Sequence, residues 1–171
     1  LPQLVVLDLD ATLWEPELYQ LRNLPGYKDA SGPGPVADKD VAMFDGAVNA
    51  LAEVATAERW AKTQLAVASR TNKGPWAESL LKQFRVAGLS LDDLFVHKEI
   101  YSSSKTRHFQ ALREKTGIEY EDMLFFDDAK GGKWGNCEPV AKMGAMSAHC
   151  PDGLTSEVWR NALEEFSAAK T

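Results

Sequence analysis

Short apolar runs alternate along the chain with longer segments in which apolar residues recur at helical spacing. The runs predict strands buried on both faces, at 3–7 (QLVVL), 64–68 (QLAVA), 94–96, 122–126 (DMLFF) and 145–149. The longer segments predict helices, at 45–59, 75–86, 103–115, 138–143 and 156–169. Because strands and helices alternate, we expect one doubly wound, Rossmann-like α/β domain over residues 1–171, with a parallel sheet and helices on both faces.

Residues 14–44 interrupt this alternation. The segment is rich in proline and glycine, as in GYKDASGPGP, and is too polar for a core element. It predicts loops or a small hairpin, and we interpret it as a short insertion in the α/β domain.

The overall charge bears on partners. The formal charge is −6, from 19 basic and 25 acidic residues, which argues against a nucleic-acid partner. An acidic protein that handles phosphate needs a local cation, and this favours a metal. No signal peptide and no apolar run of membrane-spanning length is evident, so we expect a cytoplasmic protein without a membrane partner, and a monomer.

The two cysteines, Cys137 and Cys150, lack CxxC spacing and a nearby histidine pair, which argues against zinc. Two buried thiols in a reducing compartment are the simpler interpretation, and a disulfide is the alternative.

Two carboxylates follow the first predicted strand. Side chains alternate along a strand, so Asp8 and Asp10 can point the same way. Neighbouring carboxylates repel unless a metal neutralises them or one is protonated, which suits one nucleophile and one proton carrier. Taken alone, such a pair is more often a solvated turn or a helix cap.

Three further strand ends carry candidate phosphate-handling residues. Ser69 and Arg70 precede a helix, where a hydroxyl and free N–H groups can hold phosphate oxygens. Lys105 lies in the first turn of a helix, against the macrodipole preference, where an ammonium can balance phosphate and a nucleophilic carboxylate. Asp127 and Asp128 end the fourth strand, and carboxylates with a backbone carbonyl suit Mg²⁺. Singly, each is more often a cap or a solvated side chain. Together, on consecutive strand ends, they predict a magnesium-dependent phosphate site.

These residues also carry a family resemblance. Asp8-Leu9-Asp10-Ala11-Thr12 resembles the DxDxT signature of the haloacid dehalogenase superfamily of phosphatases, and Ser69, Lys105 and Asp127-Asp128 resemble its second, third and fourth motifs. The wider runs DLDATLW, ASRT, EIYSSSKTRHF and FFDD are similar to the eukaryotic magnesium-dependent phosphatase branch.

The resemblance implies roles for the site residues. Asp8 would attack phosphorus and become an aspartyl phosphate, and Asp10 would act as acid and then as base. The carboxylate of Asp8, the backbone carbonyl of Asp10 and Asp127 would bind Mg²⁺, with Asp128 as a supporting residue or ligand. Ser69 and Lys105 would hold the phosphoryl group, and we include Arg70 among the substrate-binding candidates.

The length of the insertion bears on substrate choice. The insertion at 14–44 is too short for the separate cap domain of many relatives, so we expect an open site that admits phosphotyrosine proteins or phosphorylated sugars on proteins. Trp14, Trp76 and Trp134 are candidate aromatic contacts near the pocket. Two features depart from the branch, namely Ala11 in place of a common aromatic residue and a longer loop at 130–135.

Other functions remain as alternatives. A small-metabolite phosphatase would use the same residues. A phosphoacceptor signalling domain also combines aspartates, a hydroxyl and a lysine, but it carries its acidic pair first and its acceptor later, the reverse of the order here. A catalytically dead binding module is disfavoured because no core motif residue is missing.

Overall fold

The computed structural model describes residues 1–171 as nine strands, six α-helices and four 3-10 turns. The strands are β1 (Leu4–Leu7), β2 (Trp14–Glu15), β3 (Ala42–Met43), β4 (Gln64–Ser69), β5 (Arg85–Val86), β6 (Leu89–Ser90), β7 (Phe95–Ile100), β8 (Met123–Asp127) and β9 (Met146–His149). The helices are α1 (Asp45–Thr56), α2 (Gly74–Gln83), α3 (Leu91–Leu94), α4 (Lys105–Thr116), α5 (Cys137–Met143) and α6 (Ser156–Ala169).

Five strands form one parallel sheet in the order β7-β4-β1-β8-β9, as the alternating pattern predicts. The central strand β1 pairs with β4 on one side and β8 on the other, with Leu7 opposite Val67 and Phe126. The carboxyl ends of these three strands therefore lie side by side at the same edge of the sheet. All four β1 side chains are buried, which explains why the strand is continuously apolar.

Alternate β1 residues pack into two separate cores, one on each face of the sheet. Val5 and Leu7 belong to a cluster of 30 buried residues that includes side chains of α1, α2 and α6. Leu4 and Val6 belong to a cluster of 11 that includes side chains of α4 and α5. The predicted doubly wound fold, with helices on both faces, is confirmed.

The predicted helix 75–86 extends too far, because α2 ends at Gln83 and the residues after it are not helical. Phe84 adopts an extended backbone, with φ −70° and ψ 138°, and β5 pairs with β6 as a small hairpin. Its two linking residues, Ala87 and Gly88, both have positive φ values of 52° and 79°. This left-handed turn suits a two-residue hairpin and competes with helix continuation.

Residues 14–44 form a strap that is attached to the sheet domain along α2. Its ends pair as β2 and β3. The indole of Trp76 donates to the carbonyl of Ser31 at 3.1 Å, and the amide of Gln83 donates to the carbonyl of Pro35 at 3.1 Å. The strap leaves an open cavity at the carboxyl ends of the strands. None of the helices combines the length and hydropathy needed to cross a bilayer.

Candidate active site

The sheet brings the predicted site residues together at its carboxyl edge. An open cavity of about 720 Å³ is lined by six of the seven, with Asp127 buried behind them. These six are Asp8, Asp10, Ser69, Arg70, Lys105 and Asp128. Since ligands of open α/β sheets bind at this edge, the cavity is the candidate active site.

Lys105 begins α4 and is 2% exposed. Its ammonium donates to Asp8 Oδ1 at 3.0 Å, to Asp127 Oδ2 at 2.8 Å and to the Ala68 carbonyl at 2.6 Å. Burial alone would lower the pKa of Lys105, but the charges of Asp8 and Asp127 outweigh it and raise the pKa. The lysine is therefore a fixed positive charge between two carboxylates.

The carboxylate of Asp8 is bonded on both of its oxygens. Lys105 donates to Oδ1, and the hydroxyl of Thr12 donates to Oδ2 at 3.2 Å. A tight turn with Ala11 at φ 63° brings Thr12 back beneath Asp8. Burial, followed by the charge of Asp127, raises the pKa of Asp8 well above its usual range. A bound cation would oppose this shift.

Asp10 is held by Trp14, whose indole Nε1 donates to Oδ1 at 2.8 Å. Burial raises the pKa of Asp10 to about 6, although the Trp14 bond opposes the shift. The prediction of Trp14 and Trp76 as aromatic pocket contacts is wrong, because both rings are buried in the core. Trp134 does line the cavity.

Asp127 has a hydrogen bond in every acceptor position. Its Oδ1 accepts from the N–H of Ala129 at 2.8 Å and from Asn136 Nδ2 at 3.2 Å, and its Oδ2 accepts from Lys105 and from the same amide at 3.2 Å. A carboxylate offers about four lone-pair sites in all. Asn136 was not predicted, because nothing in its local sequence indicates that it folds back onto Asp127.

The donor set fits a hard cation. Asp8, Asp127 and Asp128 each offer a carboxylate oxygen, and these atoms lie within 4.8 Å of one another. Asp128 Oδ1 accepts a long hydrogen bond from the Thr12 hydroxyl, at 3.4 Å. One buried ammonium faces three carboxylates, which leaves an excess of negative charge that Mg²⁺ would offset.

The two cysteines are free and buried, so the alternative of a disulfide is wrong. Burial raises the pKa of Cys137 to about 12, which keeps it a neutral thiol. The thiol of Cys137 lies 3.6 Å from the Asp127 carbonyl. Its contribution to the site is packing beneath Asp127.

The rim of the cavity carries polar and aromatic side chains. Ser69 is buried at the floor, and its oxygen accepts from the N–H of Thr71 at 3.3 Å. Arg70 donates to Asn136 Oδ1 at 3.0 Å. Tyr19 and Trp134 line the cavity with 49% and 68% of their surfaces exposed. Tyr19 lies in the strap and was not predicted, because the strap carries no periodic pattern.

The fold and this group of carboxylates, lysine and hydroxyl define a hydrolase of the haloacid dehalogenase class. The chain belongs to the acid phosphatase family, whose family model matches residues 1–169.

Curated relatives agree with this family. The chain is 35% identical to magnesium-dependent phosphatase 1 of Homo sapiens over 174 residues, covering 100% of this chain and 90% of the human protein. It is 31% identical over 134 residues to a HAD-like hydrolase superfamily protein of Schizosaccharomyces pombe, covering 74% and 76% of the two chains. The predicted class, a magnesium-dependent phosphatase of the haloacid dehalogenase superfamily, is confirmed.

Solved structures share the fold at low identity. A haloacid dehalogenase-like hydrolase from Xanthomonas campestris superimposes with a TM-score of 0.65 at 14% identity, covering 98% of this chain and 97% of that one. A HAD family enzyme from Bacteroides thetaiotaomicron, in complex with magnesium and inorganic phosphate, gives a TM-score of 0.57 at 14% identity, covering 85% and 92%.

Proposed function

We propose that the protein hydrolyses phosphate monoesters through an aspartyl phosphate on Asp8. The proposal is supported by the position and the hydrogen bonds of the Asp8 carboxylate. Asp8 is 8% exposed, lines the open cavity and is held by Lys105 and Thr12. A carboxylate fixed in this way presents an oxygen to a bound phosphoryl group. A covalent step divides one difficult displacement into two easier ones.

Atoms and charges balance over the two steps. In the first, an oxygen of Asp8 forms a bond to phosphorus, the bond to the leaving oxygen breaks, and Asp10 gives that oxygen a proton. In the second, the carboxylate of Asp10 takes a proton from water, whose oxygen bonds to phosphorus. The bond between phosphorus and Asp8 then breaks, which releases inorganic phosphate and regenerates both aspartates.

The hydrogen bonds support a division of labour between the two adjacent aspartates. Asp127 has all its acceptor positions engaged, whereas the bond that Asp128 accepts from the Thr12 hydroxyl is long, at 3.4 Å. We therefore assign Asp8, Asp128 and the backbone carbonyl of Asp10 as the residues that would hold Mg²⁺, with Asp127 anchoring Lys105. When bound, Mg²⁺ supplies positive charge that stabilises the phosphoryl oxygens.

Three side chains provide donors or charge for the phosphoryl group. The oxygen of Ser69 accepts from the N–H of Thr71, and a hydroxyl in that arrangement can still donate its own proton to a phosphoryl oxygen. Arg70 has five N–H donors, of which one contacts Asn136. All three protons of the Lys105 ammonium are engaged, so this residue acts on the phosphoryl group mainly through its charge.

The open cavity favours large substrates, and we propose phosphotyrosine proteins or phosphorylated sugars on proteins. Tyr19 and Trp134 are exposed at the rim, where an aromatic ring or a sugar face can pack against them. Turnover of a phosphotyrosine peptide, relative to a free sugar phosphate, tests this assignment. Trp134→Ala should weaken peptide turnover, and Trp134→Phe should restore part of it. A free sugar phosphate as the better substrate would favour the small-metabolite alternative.

The chemistry itself is tested with p-nitrophenyl phosphate. We expect turnover that needs Mg²⁺, stops with EDTA and is lost in Asp8→Asn. Brief reaction with ³²P-labelled substrate, followed by acid quenching, should yield labelled protein that hydroxylamine releases, as an acyl phosphate requires. Label retained by Asp8→Asn, or full turnover of that variant, would refute the assigned nucleophile. A stable phosphoprotein without turnover would instead indicate a phosphoacceptor domain.

A further inference from the structure

We propose that Trp14 is a positioning residue whose indole N–H orients the carboxylate of Asp10 for proton transfer. The inference rests on the proposed function, in which Asp10 serves as acid and base. Trp14 Nε1 lies 2.8 Å from Asp10 Oδ1, within the distance of a strong charge-assisted bond. The bond engages Oδ1, one of the two carboxylate oxygens of Asp10.

The indole is a rigid anchor because the core fixes its ring. Trp14 is fully buried and stacks on Phe84, with ring centroids 5.9 Å apart and planes inclined by 28°. Its backbone pairs with Met43 in the strap hairpin. Rotating the ring would therefore disrupt the core, and the paired backbone fixes where the side chain begins, so the N–H has a fixed direction.

Asp10 needs an anchor because its carboxylate lies at the edge of an open cavity. It sits in the tight turn before Ala11, which has φ 63°, and it lines an open cavity. The strap is hydrogen-bonded to α2 by Trp76 and Gln83 and leaves that cavity open. Trp14 is the core side chain that bonds to Asp10, and the backbone of Leu18 in the strap contributes a further hydrogen bond to the same carboxylate.

The test compares Trp14→Phe with the parent enzyme on aryl phosphates of different leaving-group basicity. Phenyl phosphate needs protonation of its leaving oxygen far more than p-nitrophenyl phosphate does. Correctly placed acid catalysis contributes about 10²–10⁴-fold. We expect Trp14→Phe to lose part of the acid catalysis by Asp10. The value of kcat/KM should therefore fall about tenfold for phenyl phosphate and less than about threefold for p-nitrophenyl phosphate.

Two reference variants separate this inference from the proposed function. Trp60 is also buried and donates its indole N–H to a carboxylate, Glu53, at 2.5 Å, but it does not line the cavity. Trp60→Phe should leave the leaving-group dependence unchanged. Asp10→Asn should steepen that dependence more than Trp14→Phe does, and the double variant should match Asp10→Asn alone.

Each outcome has one meaning. If Asp10→Asn leaves the leaving-group dependence unchanged, the proposed acid role fails. If Asp10→Asn changes it and Trp14→Phe lowers both substrates equally, Trp14 is merely structural and the inference is overturned. Should Trp14→Phe not fold, benzothienylalanine at position 14, which keeps the bicyclic ring without the N–H, replaces it with the same expected result.

Discussion

Removing the Lys105 ammonium should destabilise the protein far more in the absence of a metal than in its presence. Lys105→Met keeps most of the side-chain volume and removes the charge that lies 3.0 Å from Asp8 and 2.8 Å from Asp127. At an effective dielectric constant of about 20, each contact corresponds to about 5–6 kcal/mol of attraction. Dehydration of the buried ions offsets much of this, and breaking a buried pair lowers the free energy of unfolding by about 3–5 kcal/mol.

The assay is equilibrium urea denaturation, with EDTA and with saturating Mg²⁺. We expect the full loss in EDTA and a smaller one in Mg²⁺, because the cation binds the folded state and compensates Asp8, one of the two carboxylates that Lys105 contacts. Arg113→Met is the matched control on α4, since its contact with Glu119 joins two side chains that are both about half exposed. That exposed pair contributes about 0–1 kcal/mol.

A double variant sharpens the test. Adding Asp127→Asn to Lys105→Met removes one of the two carboxylates left without a partner, so the loss in the double variant should be smaller than the sum of the single losses. Equal unfolding free energies for the parent and Lys105→Met in EDTA, or strictly additive losses in the double variant, would refute this account of the buried charges.

Three further outcomes follow from local contacts. Burial lowers the pKa of His108 from 6.5 to about 4, so between these values the unfolded chain binds a proton that the folded chain does not. The unfolding free energy should therefore fall by up to about 3 kcal/mol as the pH drops through this window, and His108→Phe should reduce that slope in urea titrations. Gly46→Ala should destabilise by about 1–3 kcal/mol in thermal melts, because its Cβ would clash with the backbone carbonyl of Leu154, whereas Gly74→Ala, whose Cβ would lie 4.0 Å from its nearest neighbour, should be nearly neutral. Ser69→Ala should lower kcat/KM about tenfold through the lost phosphate donor, and unchanged kinetics would exclude that contact.

The sheet and most of the candidate site could be predicted because they follow from short-range patterns. An apolar run such as Leu4–Leu7 marks a strand buried on both faces, and the residue after it must lie at the carboxyl edge. Three such strand ends in one parallel sheet bring Asp8, Ser69 and Asp127 together, and the first turn of α4, which follows β7 after the loop 101–104, adds Lys105.

Other site residues could not be predicted because they depend on loop paths. Asn136 reaches Asp127 only because the loop after β8 folds back, with the N–H of Asn136 bonded to the Ala129 carbonyl at 2.8 Å. As an aromatic residue close to Asp8 and Asp10 in sequence, Trp14 was predicted to contact the pocket. Its ring instead enters the core, and only its N–H reaches the site. Hydrophobic periodicity reports which faces are buried and carries no information on such contacts.

In the proposed mechanism, the residues that carry catalysis and those that contact the rest of the substrate lie in different parts of the molecule. Lys105 is fixed by a β4 carbonyl, Asp8 by Lys105 and Thr12, and Asp10 by a core tryptophan, so no domain closure is needed to align them. Discrimination between substrates must then come from contacts beyond the phosphoryl group, at the exposed rim. Changes at Tyr19 or Trp134 should consequently alter the preference among large substrates while leaving the hydrolysis of small aryl phosphates nearly unchanged.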